Sequence, residues 1–264
     1  NYLNLPLNEL GIVPGGKSVY GMREAPDGSI FIHLGERKVA RLLPNSTNPE
    51  LVEGFSFGIP DDDRLVLRQA IVQSRLNIDL ERLTYLRDSG NDALWLCPQP
   101  STGIYRVDLK KSEQRFFEIS KLPVSIWGML LLDGHLWINA DNGLYRLDPA
   151  SGRFQHFTTK EGLPHNVVYS MLPDGNDLWL GTHYGLCRFN TRNGSTRSYY
   201  VEDGLTHNEF NRRSALRSRA GKLFFGGLNG VNAFFPTDLE HKASRFQPHL
   251  CMTRFSKFDG LQDT

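Results

Sequence analysis

The chain has 264 residues, of which 39% are hydrophobic and 22% are charged, and its 30 Lys and Arg nearly balance its 29 Asp and Glu. This composition is typical of a globular protein that is long enough to bury a core. The balanced charge excludes a strongly basic surface of the kind that attracts nucleic acid or an anionic membrane. No run of residues approaches the roughly 18 consecutive apolar residues of a membrane-spanning helix.

The cysteines Cys97, Cys187 and Cys251 are far apart in the sequence. They lack the CxxC or Cys/His spacing of a zinc site, so we expect buried free thiols and no bound metal. A disulfide between Cys97 and Cys187 stays open as an alternative. The chain starts at Asn1 without a basic and apolar leader, so we expect a processed product or a fragment of a longer protein.

In chain order, the first predicted element is a short strand at residues 2–7. Two further strands are predicted at 28–32 and 39–43. Residues 59–82 then interrupt the β pattern, and three successive aspartates at 61–63 predict the cap of a helix over 64–76. Its apolar positions include Leu65, Ala70 and Ile71. We interpret this segment as an insertion, with a degenerate copy of the surrounding β pattern as the alternative.

From residue 83 onwards the sequence repeats. Each copy has an apolar strand with an aromatic residue at its centre, followed by a glycine turn and a second apolar strand. The aromatic residues are Trp95, Trp137, Trp179 and Phe224, separated by 42, 42 and 45 residues. The strands at 28–32 and 39–43 form a fifth, weaker copy. A period of about 40–50 residues is typical of one four-stranded blade of a β-propeller.

The copy at residues 167–200 shows how such a blade is built. Predicted strands at 167–172, 178–181, 186–189 and 196–200 are joined by turns that contain Gly or Asn. We therefore predict an all-β fold, a β-propeller of about five four-stranded antiparallel blades over 18–236, with the helical insertion at 59–82. The aromatic residues would pack between blades, because one blade cannot cover both of its own faces.

The flanks of the repeats suggest a larger assembly. Residues 1–17 are either the end of a preceding blade or a closing strand, and 237–264 are a connector and the first strand of a following β-sandwich. Five copies with such flanks predict part of a larger, seven-bladed ring.

These motifs resemble the two-component-regulator propeller repeats of the periplasmic sensor region of bacterial hybrid histidine kinases. The resemblance is carried by residues 162–170, 178–182, 185–186, 189–190, 203–211 and 224–234, and 248–258 resemble the start of the family's β-sandwich. It is strong over 121–236, fair over 83–120, weak over 18–57 and absent over 59–82. It implies a periplasmic, membrane-anchored receptor that acts as a homodimer, senses a small molecule such as an oligosaccharide, and carries a kinase or diguanylate cyclase output module.

Enzyme motifs are absent from the sequence. It has no HExxH, GxSxG or P-loop pattern and no GxGxxG between a strand and a helix. We predict no catalytic residue, cofactor or metal. The resemblance extends to streptogramin-lyase-like propellers, whose histidines work with a metal, and His165 and His207 lie at corresponding repeat positions. A lyase or hydrolase is therefore a minor alternative.

Candidate ligand-binding residues cluster where the innermost strands of two copies begin. A polar set there would line one mouth of the ring and suit a hydroxyl-rich ligand: His165, Asn166, His207, Asn208, Glu209 and Asn211. For Asn166 and Asn208, the competing interpretation is that they satisfy backbone groups at a strand start. Aromatic or ring residues without an equivalent in other copies complete the candidate set: Trp127, His183 and Tyr184.

From these patterns we predict a ligand-sensing domain of a signal-transduction receptor, with no nucleic-acid partner. A propeller scaffold that binds other proteins through its rim is the alternative function.

Overall fold

The computed structural model describes residues 3–5, 18–34, 38–44, 46, 49–52, 61–76 and 78–243. Its strands form five four-stranded antiparallel sheets, each the blade of a propeller. Blade 1 consists of β2 (Gly21–Glu24), β3 (Ile30–His33), β4 (Val39–Leu42) and β5 (Glu50–Val52). Blade 2 consists of β6 (Leu83–Asp88), β7 (Ala93–Pro98), β8 (Gly103–Asp108) and β9 (Gln114–Glu118).

The other three blades follow the same plan. Blade 3 consists of β10 (Ile126–Leu132), β11 (His135–Ala140), β12 (Gly143–Leu147) and β13 (Phe154–Phe157). Blade 4 consists of β14 (Val168–Asp174), β15 (Asp177–Thr182), β16 (Leu186–Asn190) and β17 (Thr196–Tyr199). Blade 5 consists of β18 (Phe210–Arg217), β19 (Leu223–Gly227), β20 (Gly230–Phe234) and β1 (Leu3–Leu5).

The first strand of every blade faces the axis of the ring. β10 lies beside β6 and β14, while β18 lies beside β14 and β2, so these five strands gather around a common centre. The outermost strand of blade 5 comes from the other end of the described chain: β1 pairs with β20, and Leu3 lies opposite Ala233. The prediction of a larger, seven-bladed ring stays a prediction.

Apolar clusters between neighbouring blades hold the ring together. Each contains one of the repeated aromatic residues: Trp95 between blades 2 and 3, Trp137 between 3 and 4, Trp179 between 4 and 5, and Phe224 between 5 and 1. All four are at most 4% exposed. Burying one such ring removes about 150–250 Å² from water, so each of these residues contributes strongly to the cohesion between blades. The β-propeller prediction is confirmed.

Helix α1 (Asp61–Gln73) covers the face of blade 2 that does not pack on blade 3. Leu67, Ala70 and Ile71 make this contact, since their i, i+3, i+4 spacing places them on one side of the helix. The helix begins three residues earlier than the predicted 64–76 and ends three residues earlier. Of the three apolar positions named from the sequence, Ala70 and Ile71 are buried, whereas Leu65 lies off the buried stripe and is 70% exposed.

A second helix, α2 (Pro236–Ala243), follows blade 5 where the sequence predicted a polar connector. Its Leu239 is buried in the cluster between blades 4 and 5. The predicted β-sandwich strand at 248–258 lies outside the described residues. No helix in the described part of the chain is long and apolar enough to cross a membrane.

Candidate functional site

Six side chains from blades 3, 4 and 5 meet at the face of the ring where the innermost strands begin, which we call the upper face. The opposite face, which carries the turns between first and second strands, is the lower face. We call the six residues the mouth cluster: Trp127, His165, Tyr169, His183, Glu209 and Arg212.

The contacts within the mouth cluster form a chain across the blades. The rings of Trp127 and Tyr169 have centroids 6.2 Å apart, and the Tyr169 hydroxyl lies 3.4 Å from Nδ1 of His183. The same His183 nitrogen is 3.5 Å from a carboxylate oxygen of Glu209. The His165 ring lies 5.0 Å from the His183 ring. An acid, two imidazoles and a phenol therefore lie within reach of one bound molecule.

Trp127 is fixed in place by its strand and by blade 2. It occupies a β-bulge, because the register of β10 against β11 shifts between Ile126 and Gly128. Gln99 of blade 2 holds the preceding residue, accepting a hydrogen bond from the Ile126 amide (2.9 Å) and donating one to the Ile126 carbonyl (2.6 Å). The indole Nε1 of Trp127 is buried and has no partner within the described residues. The indole nitrogens of Trp95 and Trp179 are likewise buried without a partner, so this feature is shared with the aromatic residues that pack between blades.

Arg212 lies on an unusually large bulge of β18. The register of β18 against β19 jumps between Phe210 and Ala215, which leaves residues 211–214 outside the regular ladder. The Arg212 guanidinium carbon lies 4.3 Å from the Trp127 ring centroid, within the range of a cation–π interaction.

The bulge is anchored on both sides. Arg213 has a left-handed backbone (φ 56°) and donates a 3.0 Å hydrogen bond to the Thr84 hydroxyl of blade 2. Asn211 and Ser214 both donate to the carbonyl of Val19, at 2.9 and 2.6 Å. A strained residue at a bulge is a feature often found at functional sites.

Two members of the mouth cluster have shifted pKa values. Partial burial lowers the pKa of His165 below its ordinary value, and the neighbouring His183 lowers it further. His165 accepts a hydrogen bond at Nδ1 from the Val167 amide (3.0 Å), so the neutral ring carries its proton on Nε2. Burial also raises the pKa of Tyr169, Glu209 adds to the rise, and Arg212 opposes it. Tyr169 is therefore a neutral hydroxyl at physiological pH.

The structure brings together four of the nine sequence candidates and gives most of the others contacts with the backbone. Trp127, His165, His183 and Glu209 belong to the mouth cluster. Asn166 and Asn208 each accept a hydrogen bond from a backbone amide seven residues upstream, at 2.9 and 2.8 Å. They therefore satisfy backbone groups, as the competing interpretation expects, but these amides begin short 3-10 turns and do not belong to the strand start. The remaining candidates bind backbone groups or lie on the surface: His207, Asn211 and Tyr184.

Sequence reasoning missed Tyr169 and Arg212. Tyr169 was assigned to a strand without regard to which side of the blade it faces, and only the bulge between Val168 and Ser170 turns it towards the mouth. A signal for Arg212 was present: the Arg212–Arg213 pair has no equivalent in the first strands of the other blades.

The cavity that adjoins the mouth cluster is small. It holds about 120 Å³, and Trp127, Tyr169 and Arg213 are among its lining residues. Ligand pockets usually occupy about 300–1,000 Å³, so a ligand at the mouth would rest on the upper face instead of entering this cavity. Two larger crevices open on the lower face, of about 490 Å³ between blades 5 and 1 and about 540 Å³ between blades 2 and 3.

The residues that could hold a metal are dispersed. Within the described residues, no three His, Cys, Asp or Glu side chains come close enough to share an ion. Cys97 and Cys187 are free and buried in different inter-blade clusters, which rules out the Cys97–Cys187 disulfide in this structure. Burial raises the pKa of both thiols to about 12.

Comparison with known families supplies an identification for blade 4. The family described as two component regulator propeller matches residues 162–184, which run from the turn before β14 through β15 to Tyr184. Residues 162–184 are a two-component regulator propeller repeat. This confirms the resemblance predicted from the sequence, and the repeat contains three members of the mouth cluster: His165, Tyr169 and His183.

One solved structure supports the fold around this regulator propeller repeat. The extracellular domain of a hybrid two component system from B. thetaiotaomicron is similar over 90% of this chain, with 17% identity and a TM-score of 0.55. The chain spans about a third (32%) of that protein's length. A second such domain from B. thetaiotaomicron covers 82% of this chain and 27% of its own, with 17% identity and a TM-score of 0.47.

Virginiamycin B lyase from Staphylococcus aureus covers 90% of this chain and 71% of its own, with 14% identity and a TM-score of 0.48. At 17% identity, the similarity to the first of these structures, with its TM-score of 0.55, supports the fold alone. No curated protein matches the sequence.

Proposed function

We propose that this propeller is the extracytoplasmic ligand-sensing part of a bacterial signal-transduction receptor and acts by binding, without catalysing a reaction. The regulator propeller repeat at 162–184 supports the class of protein. The similar extracellular domains of hybrid two component systems support the same class and an extracytoplasmic location. In the receptor, the propeller belongs to a membrane-anchored homodimer.

The observation that carries the proposal is the mouth cluster. Three blades contribute an aromatic surface (Trp127 and Tyr169), a cation (Arg212) and an acceptor (Glu209) to one opening. A polar hydroxyl-rich molecule such as an oligosaccharide matches this mixture of an aromatic platform with donors and acceptors.

Signalling then follows from unequal binding. A ligand shifts the receptor between two arrangements only to the extent that it binds them with different affinity. The bulge at 211–214 places Arg212 at the mouth and attaches Asn211 and Ser214 to Val19, at the junction of blades 5 and 1. Movement of Arg212 towards a ligand would therefore displace Asn211 and Ser214 and change the contact between blades 5 and 1.

The test begins with a thermal-shift screen of the 264-residue protein against a panel of oligosaccharides, and separately against Mg²⁺ and Zn²⁺. Calorimetry with the oligosaccharide that gives the largest shift then compares wild type with Arg212→Ala and Glu209→Gln. Loss of a hydrogen bond to a charged group should weaken binding roughly tenfold or more. Arg192→Ala, which removes an exposed arginine from a turn on the lower face, is the matched control and should bind normally.

Two results would reject the proposal. One is normal affinity of both mouth variants for an oligosaccharide that the wild type binds. The other is a stabilising shift with metals and none with any oligosaccharide, which would favour an enzyme of the lyase type.

A further inference from the structure

A contact between arginine and an aromatic ring recurs in four blades. An arginine on the third strand lies directly opposite the repeated aromatic residue on the second strand. The guanidinium carbon is 5.8–5.9 Å from the ring centroid in each pair: Arg41 with Phe31, Arg106 with Trp95, Arg146 with Trp137, and Arg188 with Trp179.

Three of these four arginines also have a hydrogen-bond partner. Arg188 binds the Asp177 carboxylate through Nε (2.7 Å) and Nη2 (2.6 Å). Arg41 binds Asp27 and Ser29, and Arg146 donates to a backbone carbonyl of blade 4. Arg106 makes no hydrogen bond or ion pair within the described chain. The reason is visible in the sequence, because Ala93 occupies the position that Asp177 has in blade 4.

A second cation adjoins Arg106. Arg115 lies directly opposite it on β9, with its guanidinium 4.5 Å from the Phe117 ring. Arg115 donates only to the carbonyls of Pro149 and Ala150, and neither arginine has a carboxylate within ion-pair distance in the described residues. Like charges directly opposite each other in a sheet are destabilising. In blade 4, where Arg188 is similarly opposite Arg197, Asp177 supplies the compensating charge.

Both arginines line the lower-face crevice of about 540 Å³ between blades 2 and 3. Its other walls include Asp88, Asp133 and Asp148. Asp88 accepts two hydrogen bonds from Asn91, and Asp148 accepts hydrogen bonds from its own turn. These two carboxylates are thus engaged locally, whereas Asp133 is exposed to solvent. Of the two cations in the crevice, Arg106 is the one without a hydrogen-bond partner in the described residues.

We propose that this crevice is a second binding site, which takes a small ligand carrying a single carboxylate, and that Arg106 with Arg115 supplies its recognition. The planar guanidinium fork matches carboxylate geometry, and such charge-assisted hydrogen bonds are about twice as strong as neutral ones. The three carboxylates in the walls outnumber the two guanidinium groups, so every negative charge beyond the one that Arg106 and Arg115 bind adds repulsion. The preferred ligand is therefore a monoanion whose remaining groups are uncharged, and the crevice volume suits a molecule of monosaccharide size.

The probes are D-glucuronate, D-glucose and citrate, titrated into the 264-residue protein by calorimetry at low ionic strength. D-glucuronate and D-glucose differ chiefly in that a carboxylate replaces a hydroxymethyl group. We expect D-glucuronate to bind at least about tenfold more tightly than D-glucose, with citrate weaker than D-glucuronate. Equal affinities for the first two probes, tighter binding of citrate, or no D-glucuronate binding at roughly 20 mM would overturn the proposal.

Two variants locate the binding. Arg106→Gln removes the free guanidinium, and Ala93→Asp gives Arg106 an internal partner like that of Arg188; both should abolish the preference for D-glucuronate. Arg197→Gln, the blade 4 counterpart of a change at Arg115, should leave it intact. Retention of the preference in Arg106→Gln would refute the assignment. If Ala93→Asp does not melt cooperatively, Arg106→Gln alone decides. Arg192→Ala, which removes an exposed arginine from a lower-face turn of blade 4, should leave this binding unchanged.

Discussion

Replacing Trp137 by alanine should remove a large part of the stability of the ring. Trp137 is 2% exposed and lies between blades 3 and 4, with its ring 6.1 Å from that of Phe157 and 5.7 Å from that of Phe189. Burial of about 200 Å² at about 25 cal/mol/Å² corresponds to about 5 kcal/mol. Part of the cavity can collapse, so we expect a loss of about 3–5 kcal/mol. That is a large fraction of the about 5–15 kcal/mol by which domains are usually stable.

Trp127→Ala is the matched control for Trp137→Ala, because it deletes the same side chain from the mouth. Trp127 is only partly buried, and the cation–π contact with Arg212 is worth about 0.5–1 kcal/mol. We expect a loss of about 1–2 kcal/mol. Urea unfolding followed by far-ultraviolet circular dichroism gives both values, with unchanged m-values. A loss below about 1 kcal/mol for Trp137→Ala, or an equal loss for both variants, would refute the packing of the aromatic residues between blades.

Three further predictions concern single groups. Asn208→Ala should lower the free energy of unfolding by about 1 kcal/mol in chemical denaturation, because the side chain caps a backbone amide. An unchanged free energy of unfolding would contradict that role. The pKa of His165 is lowered in the folded protein, so protonation of this group favours the unfolded chain. Its contribution to the free energy of unfolding is therefore constant above its ordinary pKa of about 6.5 and falls as the pH drops below that value. Between pH 7 and pH 5, the melting temperature of His165→Gln should therefore fall less than that of the wild type. An identical fall in both proteins would contradict this. Cys97 and Cys187, with pKa values of about 12, should resist thiol reagents at pH 8 in the native state and react in urea. Peptide mass spectrometry would show which thiols are labelled. Labelling of these two thiols in the native protein would contradict their burial.

The fold could be predicted because the repeat fixes both the strand order and the buried aromatic position. The four strands predicted for the copy at 167–200 agree with β14–β17 to within two residues at every end. The helix was harder to place. Asp61–Gln73 has two apolar residues, Leu65 and Val72, on its exposed side, and these obscure the buried stripe in the sequence.

The candidate site was only partly predictable, because bulges decide which side chains face the mouth. A one-residue shift in β14 turns Tyr169 towards the opening, and a larger irregularity in β18 presents Arg212. Alternation along an ideal strand cannot reveal either orientation. The repeated asparagines illustrate the opposite case: Asn166 and Asn208 have identical contacts in two blades, because repeat geometry requires a cap at both positions.

Blade 5 differs from the other blades in how its strands are joined by the chain. Three of its strands are contiguous, whereas the fourth, β1, pairs Leu3 with Ala233. Bringing such distant segments together carries the highest loop-closure entropy of any pairing in the ring. Blades 2, 3 and 4 can therefore form locally while the chain is still incomplete, and blade 5 acquires its outer edge last. Local opening of the native ring should begin at the same seam, where the departure of one three-residue strand exposes β20 to solvent.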